Sequence, residues 1–296
     1  MHYVVMDLEW NQAMSSKSSV FNKLPIHLRG EIIEIGAVKL DETLREVGRF
    51  QAIIHPAVSK KLTDLVTNLT SITDEELTDG GTFTGAMAGL RRFIGKTETV
   101  VLTWSTTDLL VLLENYRYFC KTDTIPFMHA YVDLQAYYQQ RMELPNTQQV
   151  GLSAACEQLS VNEEDVAHHR ALDDSILTGR VLQKIYDADS FKQILLPADA
   201  AFYRRITFKN RYVTDRDDPL VKSEYLHFAC PQCGKELATD GKWRGYNRAL
   251  SANMHCTPCN KHFLARVQIK EKFDATEVKR KLLPRKEETE SAQNVG

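Results

Sequence analysis

The hydrophobic pattern of this chain changes period once, and that change limits the architectures open to it. Three short apolar runs come first: Tyr3-Val-Val-Met6, then the β-branched-rich Glu31-Ile-Ile-Glu-Ile-Gly-Ala-Val-Lys-Leu40, then Phe50-Gln-Ala-Ile-Ile54, stopped by Pro56. Each reads as a strand, and three in succession imply an antiparallel meander. From Phe83 the spacing lengthens: Phe83, Met87, Leu90 and Ile94 recur every three or four positions, as on one helix face, before Thr99 to Trp104 returns to strand. Helical patterns follow over Asp108 to Phe119, Gln135 to Met142, Leu152 to Leu159 and Ala171 to Tyr186, with a short strand at Ala130 to Leu134. A meander followed by alternating helices and strands predicts an α/β sheet with helical cover, ending near residue 190.

Beyond that point the period is lost. Residues 191–222 mix Pro, Asp, Arg and Lys and are expected to be a connector with one helix around Pro197 to Ile206. Residues 223–270 form a separate cysteine-bearing domain, and 271–296 are expected to be a charged tail, disordered after about Lys286. Net charge is −2, yet residues 1–198 carry roughly 18 Lys and Arg against 26 Asp and Glu, whereas 199–286 carry roughly 19 against 10. An acidic body with a basic attachment suits a polyanion-binding appendage; the alternative is a solvated charged face.

The opening MHYVVMDLEW lacks the basic start and long apolar stretch of a signal peptide. No segment approaches the roughly 18 apolar residues of a membrane span. A cytoplasmic protein without membrane partners is expected.

Two clusters carry chemistry. In the first, Asp7 and Glu9 alternate with Met6 and Leu8 at the end of the opening strand, so both carboxylates share a face. Converging carboxylates make a hard-oxygen site suited to Mg²⁺ or Mn²⁺, although an acidic pair at a strand end can also be a solvated turn. Asp108 opens a helix directly after a strand. Near the start of the last helix stands VAHHRALDDS, where His168 and His169 each find an Asp five positions on, Asp173 and Asp174. Spacing alone leaves the two registers open.

The order Asp7-x-Glu9, Asp108 after Thr103-Trp104, and His169-x4-Asp174 resembles the DEDDh family of 3′-to-5′ exonucleases, the group of proofreading subunits, RNase T and the Eri-type RNases. The resemblance covers roughly residues 1–186, including IIEIGAVKL and Ser71-Ile-Thr-Asp-Glu-Glu-Leu77. It implies an RNase H-like mixed sheet flanked by helices and two-metal hydrolysis of phosphodiesters. Two ions about 3.5–4 Å apart can activate water and stabilise the leaving 3′ oxygen. By the same resemblance Asp7, Glu9 and Asp174 bind one ion, Asp7 touches the second with Asp108 contributing, and His169 takes the proton of the attacking water. An imidazole with an ordinary pKa near about 6.5 can do so at neutral pH. The family pattern places small residues two after the His and one after the Asp. His169 supplies Ala171 and Ser175, whereas His168 would supply Arg170 and Asp174. Packing agrees: with Leu172 and Ile176 toward the sheet, Asp173 and Asp174 point about 100° apart, so only one can aim at the metals. The chain departs from the Eri-like pattern at Ser105, where Gly is usual, and in the insertion Asn11 to Gly30. Trp10 could stack on the terminal base or pack in the core. Glu31 and Glu34, carboxylates in an apolar strand, fit structural hydrogen bonding.

The second cluster is Cys230-Pro-Gln-Cys233-Gly and Cys256-Thr-Pro-Cys259, two hooks separated by 22 residues. Four thiolates so spaced suit one structural Zn²⁺ in a zinc ribbon; disulfides are disfavoured in the cytosol. His255 and His262 flank the second hook, while Cys120 and Cys156 fit buried packing. Lys242, Trp243, Arg244 and Tyr246, with Arg248, Lys261, Phe263 and Arg266, interleave cations and aromatics as a nucleic-acid surface would.

The chain is therefore expected to be an α/β exonuclease with a small C-terminal zinc ribbon, releasing nucleotides from single-stranded RNA or DNA 3′ ends, with RNA favoured by the Thr-Trp-x3-Asp motif. A binding protein that keeps the fold without catalysis is the alternative.

Overall fold

The computed structural model describes residues 1–12, 20–59, 61–95, 98–145, 148–166 and 169–285. It divides into two compact units, Met1–Thr207 and the chain from Phe208 onward.

The first unit is built on a six-stranded mixed sheet. The meander is present as β1 (His2–Gln12), β2 (Gly30–Leu40) and β3 (Glu46–Ile53), paired antiparallel in sequence order. After helices α1 (Asp64–Thr70), α2 (Asp74–Thr78) and α3 (Phe83–Ile94), strand β4 (Thr99–Thr103) lies parallel beside β1. Helix α4 (Thr107–Asn115) leads through a π-helical turn to Cys120. Strand β5 (Ala130–Asp133) is parallel to β4. Then come α5 (Leu134–Arg141), α6 (Leu152–Leu159), α7 (Ala171–Ile185) and α8 (Ala188–Ile194), the edge strand β6 (Leu196–Pro197), antiparallel to β5, and α9 (Ala200–Thr207). The strand order is β3-β2-β1-β4-β5-β6.

Strand alternation separates two cores. Val4, Met6 and Leu8 pack with α3 and α4 on one face, while Tyr3 and Val5 pack beneath α5, α6 and α7 on the other. Asp7 and Glu9 continue the α7 face just beyond its apolar part, at the carboxyl end of β1.

Helix α7 touches the sheet unusually closely at β2. A Cβ on Gly36 would lie 2.1 Å from backbone atoms of Ala171 and Leu172, and the Ser175 hydroxyl donates to the Gly36 carbonyl at 3.0 Å. Small residues at positions 36, 171 and 175 are what this approach demands.

The second unit is a five-stranded antiparallel sheet. Its strands are β7 (Arg211–Val213), β8 (Ala238–Tyr246), β9 (Ala249–Cys256), β10 (Lys261–Glu271) and β11 (Thr276–Pro284). Strand β10 is central: it pairs with β9 and β7 along one edge and β11 along the other.

Two expected boundaries move. The supposed connector 191–222 is parted between the units: α8, β6 and α9 complete the first, where Phe202 is buried with its ring 4.3 Å from that of Tyr131, and β7 joins the second. Its apolar residues had no long-range period because they serve two cores. Residues 276–284, expected within the tail, form β11. There Val278 and Leu282 alternate inward between outward lysines, a strand period hidden by the density of charge. The residues after Arg285 lie outside the described ones.

Candidate active site and cysteine centre

The carboxyl ends of β1 and β4 and the first turn of α7 assemble the acidic cluster. Carboxylate oxygens of Asp7, Glu9 and Asp174 all lie within 4.8 Å of one another. Asp174 comes to β1 because Leu172 and Ile176 turn α7's apolar side inward. Asp173 belongs to no such group among the described residues and lies toward Arg49 of β3, whose charge it helps to hold. The structure thus brings Asp174, not Asp173, to the pair on β1. His168 lies outside the described residues. His169 is exposed, with a left-handed backbone (φ 66°) directly before the helix.

Asp108 is buried in the first turn of α4. It stands outside the tight trio, yet its charge is the strongest of those that act on Asp7. Ser105 keeps an ordinary backbone and accepts the Thr107 N–H on its hydroxyl at 3.2 Å, so serine replaces glycine there without strain.

Crowding of like charges in a desolvated place is costly. Burial, then repulsion from Asp108, Glu9 and Asp174, holds Asp7 well above the usual carboxylate range. Burial and then Asp174 push Glu9 up to about 8. Asp108 is pushed up to about 7, mainly by burial, against the pull of backbone hydrogen bonds from its own residue and Leu8. A divalent cation would remove this penalty, and the hard oxygen donors suit Mg²⁺ or Mn²⁺.

Glu34 and Glu31 make the structural hydrogen bonds expected of them, with partners that the motifs did not name. Glu34, with no exposure, accepts from Arg170 at 3.0–3.3 Å, from the Ala171 N–H at 3.1 Å and from Gln51 at 2.6 Å. It therefore caps α7 from a neighbouring strand, since Arg170 at the N-cap position makes no side-chain cap. Arg170 also reaches Glu76 of the α2 capping box at 3.3 Å. Asn11, buried at the end of β1, binds Ser59, Lys61 and Thr63, and Glu31 gathers the backbone N–H groups of Ala57, Val58 and Ser59. Trp10 is half-buried against the α3/α4 core and lies over Gly30.

In the second unit, the sulfurs of Cys230, Cys233, Cys256 and Cys259 lie within 4.8 Å of one another. Each hook turns in a similar way. Gly234 takes φ 72° after the first and Asn260 takes φ 49° after the second, where asparagine tolerates the left-handed region. Against the upward pull of burial, backbone hydrogen bonds from Cys233 and Gln232 draw the Cys230 thiol down to about 7. Four converging thiols, one already inclined to ionise, fit a tetrahedral Zn²⁺. His255 and His262 turn instead toward Asp240. Of the aromatics expected at the surface, Trp243 stacks on Phe228, 6.3 Å between centroids, and Phe263 is buried; both serve the core.

Among the described residues no helix is long and apolar enough to cross a membrane.

The RNase T exonuclease family model matches residues 4–182. No curated protein matches the chain. Among solved structures, the nuclease domain of 3′hExo, a DEDDh family member, bound to rAMP is similar with a TM-score of 0.53 and 22% identity, over 62% of this chain and 90% of that one. A 3′-exonuclease in a structure of histone mRNA stem-loop recognition gives 0.54 and 20%, over 67% and 71%. Cell-death related nuclease 4 gives 0.51 and 13%, over 79% and 86%. These likenesses show the fold, in agreement with the mixed sheet and its flanking helices. With the matched model spanning more than half of its length, the chain belongs to the RNase T exonuclease family.

Proposed function

We propose that the protein is a divalent-metal-dependent 3′-to-5′ exonuclease acting on single-stranded nucleic acid, RNA in preference to DNA. The observation that carries this reading is the convergence of Asp7, Glu9 and Asp174 within 4.8 Å, beside a buried Asp108. In this reading those four carboxylates hold two Mg²⁺ or Mn²⁺ ions. When bound, such ions neutralise the phosphate and lower the pKa of coordinated water. His169, exposed at the edge of α7, accepts the proton of the attacking water. Arg170 and Glu34 fix the backbone between His169 and Asp174. Cys230, Cys233, Cys256 and Cys259 hold one structural Zn²⁺. The preference for RNA is supported by the Thr103-Trp104-x3-Asp108 motif.

Matched RNA and DNA strands labelled at either end, incubated with Mg²⁺ or Mn²⁺, test polarity, sugar preference and metal dependence together. The expected product is a nucleotide-by-nucleotide ladder receding from the 3′ end. A strand that is retarded on a gel but never shortened would identify a binding protein that keeps the fold.

A further inference from the structure

Within the described residues of the second unit, one face of its sheet carries the core. Phe263, Ala265, Val267 and Ile269 of β10 point into the core beside the cysteines. The register therefore sends the alternate residues of every strand to the opposite, open face.

That face is cationic. Arg244 on β8, Arg266 and Lys270 on β10, and Lys279 and Lys281 on β11 all lie on it. The one carboxylate between the lysines, Glu277, is engaged by Lys272. Aromatic rings stand among these charges. Tyr246 is 75% exposed, and the Tyr212 ring has Arg248 at 5.4 Å and Lys270 at 5.7 Å from its centroid. Next to Tyr246, where β8 departs from register between Asp240 and Arg244, a hollow of about 290 Å³ is lined by Lys242, Arg244, Ser251, Asn253 and Leu264, and by Asp240, whose carboxylate is engaged by His255 with His262 nearby. A row of cations, an exposed ring and a hollow with amide and hydroxyl groups match a backbone of phosphates carrying bases.

We propose that this open face binds single-stranded nucleic acid, with β10 and β11 cations on phosphates and Tyr246 stacking on a base at the hollow. The inference rests on the exonuclease reading and names the surface that grips the strand.

The test uses the full-length, zinc-loaded chain in two backgrounds. With Asp7→Asn to keep the strand intact, binding of a labelled oligouridylate of about 16 nucleotides, within the range of single-strand site sizes, is measured by anisotropy against salt. Arg244→Gln, Lys279→Gln and Lys281→Gln together should weaken binding at least about tenfold and flatten the log–log salt slope by about 2, near 0.7 per cation removed. Tyr246→Ala should weaken binding about fivefold or more without changing the slope. In the unmutated active-site background, both variants should raise the KM for the same oligonucleotide in step with the affinity they lose. Zinc content and melting temperature verify folding, and the largely exposed Tyr246 position gives a reading even if the triple variant misfolds. Unchanged affinity and slope in both variants would overturn the proposal, as would displacement of the strand by polyglutamate as effectively as by unlabelled strand, which would point to an acidic protein. Lack of hydrolysis with binding lost in the variants would refute the exonuclease reading alone.

Discussion

The guanidinium of Arg170 forks onto the carboxylate of Glu34, a side chain with no solvent exposure, at 3.0–3.3 Å. Because Glu34 also accepts the Ala171 N–H, one carboxylate fixes both the residue after His169 and the first turn that carries Asp174. Arg170→Ala would leave this charge buried without its partner, costing about 3–5 kcal/mol, read by urea denaturation. Arg170→Lys should recover much of the stability but less of the turnover, since an ammonium cannot make the two-pronged contact. Equal recovery of both would show that the pair serves stability alone.

Asp174→Asn should abolish turnover, whereas Asp173→Asn should leave most of it, because only Asp174 joins Asp7 and Glu9. Single-turnover assays on an end-labelled strand separate the two. The reverse ranking would assign the metals to the other register.

The acidic cluster predicts a pH dependence. Glu9 titrates at about 8 in the folded chain against an ordinary 4.5, and Asp108 at about 7 against 3.8. Folded-state values above unfolded ones mean that the native state binds more protons, so stability contributed by these groups is full below about pH 4 and is lost as pH rises to about 8. Melting temperatures of protein freed of Mg²⁺ and Mn²⁺, but retaining zinc, should fall across this range. Added Mn²⁺ should raise them most at the alkaline end, where the carboxylates are ready to bind it. A flat profile would show that the cluster is relieved in some other way.

Removing zinc should act on one unit. Chelation should make the chain from Phe208 onward sensitive to protease while residues 1–207 keep their cooperative melt, because the two have separate cores. Cys256→Ser should reproduce the effect, since Cys256 is fully buried among the strands.

How much of this was legible beforehand follows from the range over which each interaction acts. The meander, α7 and the positions of Asp7, Glu9 and Asp108 follow from local period, and the cysteine hooks from local spacing. Ala171 and Ser175 read as small residues near a sheet, and Gly36 is the partner that makes them so. By contrast, Glu34 and Arg170 are 136 positions apart, and nothing in either neighbourhood announces the other. Trp243 and Phe263 sit among cations in sequence but face inward, because strand alternation and not proximity decides exposure. The same alternation in β11 was masked by its lysines.

Gly36 stands opposite Asp7 in the β1–β2 register and directly under the backbone of Ala171 and Leu172. The same residue thus neighbours one carboxylate of the acidic cluster across the strands and supports the helix that brings another. A methyl group added there would have to move from 2.1 Å to an ordinary contact beyond 3.4 Å, lifting α7 by more than an ångström and Asp174 with it. The spacing of the carboxylate pair is set by a side chain that is not there, so the gauge of the acidic cluster is kept by a residue with no carboxylate of its own.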